Sequence, residues 1–114
     1  METRNNVMTI KEIKSKTIEL RNEAADLDKL FHDAVVKYLN TIVEVVSCES
    51  SDKDGKACLE EISTWYDNDN DLVTIEYVIM DKYGDFEETK QIVVSASEIE
   101  KHISINAIGG IEYL

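Results

Sequence analysis

The sequence predicts an α+β protein in which a long N-terminal helix packs on an antiparallel meander of three to four strands and a short C-terminal helix follows. Apolar residues recur at steps of three and four along residues 10–38, and they alternate with polar residues along residues 72–80. The 114 residues suffice for one modest core. We therefore expect a single domain over residues 1–114, with the long helix at about 9–39, the sheet at about 42–95, the short helix at about 97–104 and an apolar tail at 105–114.

The long helix is predicted by an apolar repeat of about 3.5 residues that contains neither glycine nor proline. Thr9 and Glu12 form a capping box at its start. Residues 24–26 are the place where a break into two helices would fall, although neither glycine nor proline requires one. The apolar stripe of this helix, which we call the helix seam, must be covered by the rest of the chain or by a second copy of it. The seam residues suited to a homodimer are Ile10, Ile13, Leu20 and Leu27.

A first hairpin is predicted between this helix and the alternating strand. Residues 42–46 are rich in β-branched side chains, which favour a strand. Asp54-Gly55 is a strong hairpin signal, so residues 57–66 are expected to return as a second strand. Apolar residues within 57–66 also fall at helical spacing, and both structures stay open there.

A second hairpin is the clearest prediction in the sheet. Strand Leu72–Met80 alternates strictly, residues 81–85 form a turn, and Phe86–Ser95 returns beside it. Ser97 and Glu100 then repeat the capping box and start the short helix. The tail carries a Gly109-Gly110 turn and either adds a short strand or docks on the long helix.

The negative charge belongs to the second half of the chain. The net charge is −12 overall, with −1 on residues 1–46 and −11 on residues 47–114. Such a field repels nucleic acid and anionic membrane and attracts basic protein surfaces or cations. The alternative interpretation is a negative surface that keeps a small protein soluble.

Membrane insertion and secretion are not expected. The longest purely apolar runs are four or five residues, against about 20 for a membrane helix. Residues 1–6 carry no apolar run that would serve as a signal peptide. We therefore predict a cytoplasmic protein.

Residue types that carry chemistry are sparse. Cys48 and Cys58 flank the first predicted hairpin, where they could be bridged, but a cytoplasmic location favours two reduced thiols. No histidine lies near them in sequence, so zinc has no ligand set, and the calcium-like loop from Ser50 lacks its first carboxylate. His32 and His102 lie far apart in the chain and complete no catalytic grouping. The sequence therefore predicts no enzyme, no cofactor and no metal.

The acidic residues of the second hairpin are the candidate partner-binding site. They come from its two ends, which lie roughly 30 Å apart if the strands have about nine residues. A line of carboxylates on this scale is similar to the charge spacing of nucleic acid, although Asp and Asn also accumulate in ordinary hairpin turns. The candidate residues are Asp67, Asp69, Asp71, Glu76, Asp81, Asp85, Glu87 and Glu88.

These observations lead to two functional hypotheses. The first is a small acidic protein-binding module that occupies a basic nucleic-acid-binding face of a target protein. Its most concrete form is an inhibitor of the phage or mobile-element anti-defence or immunity type, with no direct contact to nucleic acid. The alternative is a dimeric adaptor or chaperone that assembles through the long helix seam.

Overall fold

The structure, a computed structural model, describes residues 7–19, 24–106 and 110–114. Within these ranges the chain is α+β, with three α-helices, a five-stranded mixed sheet and a two-stranded sheet. In chain order the elements are α1 (Ile10–Glu19), α2 (Ala24–Leu39), β1 (Val45–Val46), β2 (Ala57–Cys58), a 3₁₀ turn (Leu59–Glu61), β3 (Ser63–Asp67), β4 (Leu72–Met80), β5 (Phe86–Ser95), α3 (Ala96–Glu100), β6 (Ile103–Ile105) and β7 (Ile111–Tyr113).

The two N-terminal helices fold back on each other, so the predicted single helix over residues 9–39 is wrong. Lys14 Nζ lies 3.1 Å from Asp28 Oδ1 and 4.8 Å from the ring centroid of Phe31. In one continuous helix, positions 14 and 28 would be about 21 Å apart, at about 1.5 Å of rise per residue. Ile10 and Ile13 of the seam are fully buried in the core of this chain, and Leu27 packs on it half-buried.

The start of α1 is fixed by its own cap and by the far end of the chain. The capping box is confirmed, since Thr9 Oγ1 accepts from the Glu12 amide at 3.1 Å and Glu12 Oε1 accepts from the Thr9 amide at 3.0 Å. Glu100 Oε2 accepts a further hydrogen bond from the Ile10 amide at 2.8 Å. The Met8 amide donates to the carbonyl of Ile105 at 2.9 Å. The N-terminal helix is therefore tied to α3 and β6.

The larger sheet is centred on β4 and is mixed. β5 pairs with one edge of β4, while β3 and β2 pair in turn with the other edge, all antiparallel. β1 lies parallel to β2, so the predicted antiparallel meander, with its hairpin over residues 42–66, is wrong. The physical reason is the direction of the Asp54-Gly55 turn. Gly55 has φ +76° and its amide donates to the carbonyl of Met80 at 2.7 Å, which carries the chain to β4 instead of back along β1.

Residues 57–66, for which the sequence left strand and helix open, form the strands β2 and β3 with the 3₁₀ turn between them. The second hairpin is confirmed, since β4 and β5 have the predicted bounds and Val73, Ile75 and Tyr77 are buried on one face. The pairing register shifts between Ile79 and Met80, and Met80 is buried in place of Ile79.

The C-terminal helix is shorter than predicted and begins earlier. Its N-cap is Ser95, whose Oγ accepts from the Glu98 amide at 3.1 Å, and residues 103–105 form a strand. The tail forms the short strand β7, which pairs with β6, and this is the first of the two predicted alternatives. It also lies against α2, where Asn40 Nδ2 donates to the Tyr113 hydroxyl at 3.1 Å.

The core lies between α2 and the inner face of the sheet, with α1, α3 and β6 closing its sides. The buried side chains that share this core include Phe31, Ala34, Val35, Leu39, Val73, Ile75, Ile99, Ile103 and Ile105.

No helix in the described part of the chain combines the length and the apolar character needed to cross a membrane.

Candidate functional site

The face of the sheet that points away from the core is a regular surface that the fold leaves open. Side chains alternate along a strand, so β4 buries Val73, Ile75 and Tyr77 on its inner face and turns its other residues outward. Residues paired across antiparallel strands share a face. We define the outer sheet face as Ser63, Trp65, Asp67, Leu72, Thr74, Glu76, Val78, Thr89, Gln91 and Val93, of which none is buried.

An apolar row crosses the middle of the outer sheet face. Trp65 pairs with Thr74, and Thr74 pairs with Val93, so the three side chains lie side by side across three strands. Trp65 is 47% exposed and Val93 is 51% exposed. Asp67 and Glu76 each lie two residues from this row along their strands, on the same face and on opposite sides of it. The outer sheet face therefore presents a tryptophan flanked by two carboxylates.

Seven of the eight predicted partner-binding residues fall at the two ends of the β4–β5 hairpin, and the eighth, Glu76, lies between them. Asp67, Asp69 and Asp71 belong to the β3–β4 connection, whereas Asp81, Asp85, Glu87 and Glu88 belong to the β4–β5 turn and the start of β5. β4 separates the two groups by about 26 Å, at about 3.3 Å per residue. Glu76 lies between them, and Glu88 is paired with Ile79. The carboxylates form two clusters joined by the outer sheet face, not one continuous patch.

Four lysines of the described ranges form ion pairs with other carboxylates, and most of the clustered acids form no ion pair. Lys82 belongs to the β4–β5 turn and Lys53 Nζ lies beside Gly84 of that turn, so positive charge partly offsets this cluster. The ion pairs elsewhere join Lys14 to Asp28, Lys29 to Asp33, Lys56 to Glu44 and Asp52, and Lys101 to Glu98. Among the eight candidates, only Glu88 has a cationic partner within the described residues, with Lys90 Nζ at 3.5 Å. The negative charge of the β3–β4 cluster and of Glu76 is therefore offset by no ion pair within the described residues.

Three of the eight carboxylates also hold the turns together. Asp67 accepts from Asn70 Nδ2 at 2.7 Å and from the Asp69 amide at 3.0 Å, and these bonds lower its pKa. Asp71 has φ +56° and accepts from the Tyr66 hydroxyl. Burial first, and then this bond, raise the pKa of Tyr66.

The third is Asp81, whose Oδ1 accepts from the amides of Tyr83 at 2.8 Å and Asp85 at 3.0 Å. The turn-forming interpretation therefore accounts for Asp67, Asp71 and Asp81. It does not account for Asp69, Glu76, Asp85 or Glu87, whose carboxylates have no hydrogen bond or ion pair to any described residue.

A second cluster of chemical interest surrounds the two cysteines. Cys48 and Cys58 form a disulfide with a Cα–Cα distance of 5.0 Å, in place of the reduced thiols that a cytoplasmic location favoured. Glu60 Oε1 accepts from the Cys48 amide at 2.8 Å, and Ser47 Oγ donates to Glu60 Oε2 at 3.2 Å. The Cys48 amide is the main cause of the lowered pKa of Glu60. Sequence reasoning missed Glu60, for which the only local signal is its position two residues after Cys58.

The other candidates from the sequence are separate from one another. His32 Nδ1 lies 2.9 Å from Thr64 Oγ1, while His102 Nε2 lies 3.1 Å from a carboxylate oxygen of Glu98. His32 lines a surface pocket of about 540 Å³ between α2 and β3, beside Trp65. In the described ranges, the cysteine pair and Glu60 form the one group of three or more metal-ligating side chains.

Comparison with known proteins gives no match, since no family model, no curated protein and no solved structure matches this chain. Its own geometry is therefore the basis for a functional assignment. That geometry offers an open acidic sheet face with an aromatic centre, and a compact group of two sulfurs and a carboxylate.

Proposed function

We propose that the protein is a small acidic protein-binding module whose outer sheet face and flanking carboxylates occupy a basic surface of another protein. The observation that supports this most is the distribution of ion pairs. Five described lysines form ion pairs, four of them with carboxylates outside the eight candidates, and seven of the eight candidate acids form no ion pair with any described residue. Uncompensated charge of one sign steers a partner of the opposite sign and selects against like-charged ones.

The centre of the outer sheet face supplies apolar contact area, which the carboxylates do not. Trp65 is half-exposed and neighbours Val93 through Thr74, and exposed tryptophan at the middle of a patch is a frequent source of binding energy. Asp67 and Glu76 on either side would engage Arg or Lys of the partner. We expect the apolar row to set the lifetime of the complex and the carboxylates to set its rate of formation.

The most concrete form of this function is inhibition of a nucleic-acid-binding protein. Two negative clusters about 26 Å apart present charge over a length comparable with several phosphate spacings along one nucleic-acid strand. A basic cleft that binds nucleic acid would accept such a surface. The proposed inhibitor is of the phage or mobile-element anti-defence or immunity type, acts in the cytoplasm, and contacts neither nucleic acid nor membrane directly.

The adaptor hypothesis has less support. Ile10 and Ile13 are fully buried within this chain, Leu27 is half-buried against its core, and Leu20 lies outside the described residues. The part of the seam that the structure describes is covered by this chain itself. A second copy therefore finds Ile10 and Ile13 already covered.

The test compares two variants with the same change in net charge. In the face variant, Asp69, Glu76, Asp85 and Glu87 are replaced by Asn or Gln. In the matched control, four acids away from the face are neutralised, namely Asp33, Glu49, Asp52 and Glu112.

Tagged proteins are used to capture basic partners from a host lysate at about 0.1 M salt, where the Debye length is about 10 Å. The proposal expects a nucleic-acid-binding protein that elutes at moderate salt, is retained by the control and is lost by the face variant. Purified protein should also displace nucleic acid from that partner. Equal retention by both variants, or an affinity insensitive to salt, would show that the outer sheet face does not mediate binding.

A further inference from the structure

We infer that reduction of the Cys48–Cys58 disulfide opens a binding site for a thiophilic divalent cation such as Zn²⁺, with the two thiolates and the Glu60 carboxylate as ligands. The three ligand atoms lie within 4.8 Å of one another. Thiolate and carboxylate together are a ligand set that zinc accepts. This site is separate from the outer sheet face and does not depend on the function proposed for that face.

The spacing of the three atoms suits a tetrahedral ion. Zinc–sulfur bonds of about 2.3 Å and zinc–oxygen bonds of about 2.0–2.2 Å place neighbouring ligands about 3.5–3.8 Å apart. Cys58 Sγ already lies 3.9 Å from Glu60 Oε1. The sulfurs are bonded to each other in the oxidised protein, and breaking that bond lets them separate to the distance that the ion requires.

The thiols stay together when the disulfide is absent, because three other contacts hold their segments. β1 and β2 are paired in parallel, with Val46 beside Cys58. The Ala57 amide donates to the carbonyl of Glu44 at 2.9 Å. Glu60 binds the Cys48 amide at 2.8 Å from its place two residues after Cys58. The reduced site is therefore preorganised by the sheet and by the carboxylate that would ligate the ion.

The surroundings suit an ion with one open position. Cys58 is fully buried, Cys48 is half-buried and Glu60 is exposed, so one ligand lies in the core and the other two are reached by solvent. Lys53 Nζ donates to the Cys48 carbonyl at 3.1 Å and brings a positive charge near a site that carries three negative ligands. We expect a solvent water to complete the tetrahedron.

Loading of the site follows a balanced exchange. A thiolate of a dithiol reductant attacks the half-buried Cys48 sulfur, and Cys58 leaves as a thiolate. The second thiol of the reductant then attacks its own mixed-disulfide sulfur, which releases Cys48 and closes the reductant into a cyclic disulfide. Two electrons pass to the protein. Binding of the cation then displaces any proton that either cysteine still carries.

The experiment uses Co²⁺ as a spectroscopic probe and Zn²⁺ as its competitor. The full chain is reduced with dithiothreitol, freed of reductant without oxygen, checked for folding by circular dichroism and titrated with Co²⁺. The inference expects one ion per chain with a thiolate-to-cobalt charge-transfer band that Zn²⁺ abolishes. The oxidised protein should show no such band.

Two variants identify the third ligand. Glu60→Gln keeps a hydrogen-bond acceptor for the Cys48 amide but removes the charge, and it should weaken binding by at least about tenfold, since even outer-shell partners of metal ligands contribute about 10–100-fold. Glu61→Gln changes the neighbouring exposed carboxylate and should leave the affinity unchanged. A folded, reduced protein without the band would overturn the inference, as would equal affinity of Glu60→Gln and the unaltered chain.

Discussion

Glu100 connects α3 to the first turn of α1, and its removal measures how much that connection stabilises the fold. Its Oε2 accepts from the Ile10 amide at 2.8 Å across 90 residues of sequence. A hydrogen bond to a charged group contributes about 1.5–3 kcal/mol, and the lower end applies because Glu100 is half-buried. Its charge at a helix N-terminus adds about 0.5 kcal/mol. We expect Glu100→Ala to lower the free energy of unfolding by about 2 kcal/mol, whereas Glu100→Gln, which keeps an acceptor, should lower it by about 0.5–1 kcal/mol.

Urea unfolding followed by circular dichroism measures both values, and thermal unfolding should show a decrease of about 8 °C in the Tm of Glu100→Ala. Hydrogen exchange of the Ile10 amide gives a local measurement and should accelerate in both variants. Glu112→Ala is the control, since Glu112 is exposed on β7. If Glu100→Ala and Glu112→Ala unfold within about 0.5 kcal/mol of each other, the range for ordinary surface substitutions, the Glu100–Ile10 contact does not stabilise α1.

Two further predictions concern the disulfide and the tyrosine of the β3–β4 turn. Cys48 and Cys58 are 10 residues apart, so chain entropy predicts that reduction in the presence of a metal chelator lowers the free energy of unfolding by about 2.5–3 kcal/mol. Urea unfolding with and without dithiothreitol tests this value. An unchanged urea midpoint would contradict it. The pKa of Tyr66 is raised by burial and by its bond to Asp71, so its stabilising contribution is full below about pH 10 and lost as the pH rises above that value. Tyr66→Phe should therefore flatten the alkaline decrease in stability, measured by urea midpoints between about pH 8 and 11, and an unchanged slope would exclude this role.

The second hairpin shows what local pattern determines well. β4 has nine residues with a period of two, and the turn residues on either side of it leave one register for β5. The two N-terminal helices show the opposite case. The apolar repeat keeps its phase from α1 to α2, so the pattern is the same for one long helix as for two that cover each other. The tertiary contacts of Lys14 with Asp28 and Phe31 distinguish them.

The segment from β1 to β3 could not be predicted because its strands are too short to carry a period. β1 and β2 have two residues each. Asp54-Gly55 has the sequence of a hairpin turn, but the Gly55 amide donates to the carbonyl of Met80 at the end of β4. The same parallel pairing brings Glu60 to Cys48, which no spacing in the sequence indicates. The carboxylates of the candidate site were found from composition. Trp65 between them was not, because its row depends on the register of three strands.

The contacts between the N-terminal segment and the C-terminal elements have a consequence for the order of folding during synthesis. Val7 bridges Asn106, Met8 donates to Ile105, and Ile10 donates to Glu100. α1 leaves the ribosome before α3 and β6, whose contacts with it are made about ninety residues later. The β4–β5 hairpin closes a much shorter loop and forms on the faster timescale of local structure. α1 therefore packs against α2 early in synthesis but gains its contacts with α3 and β6 only after these two elements have been synthesised.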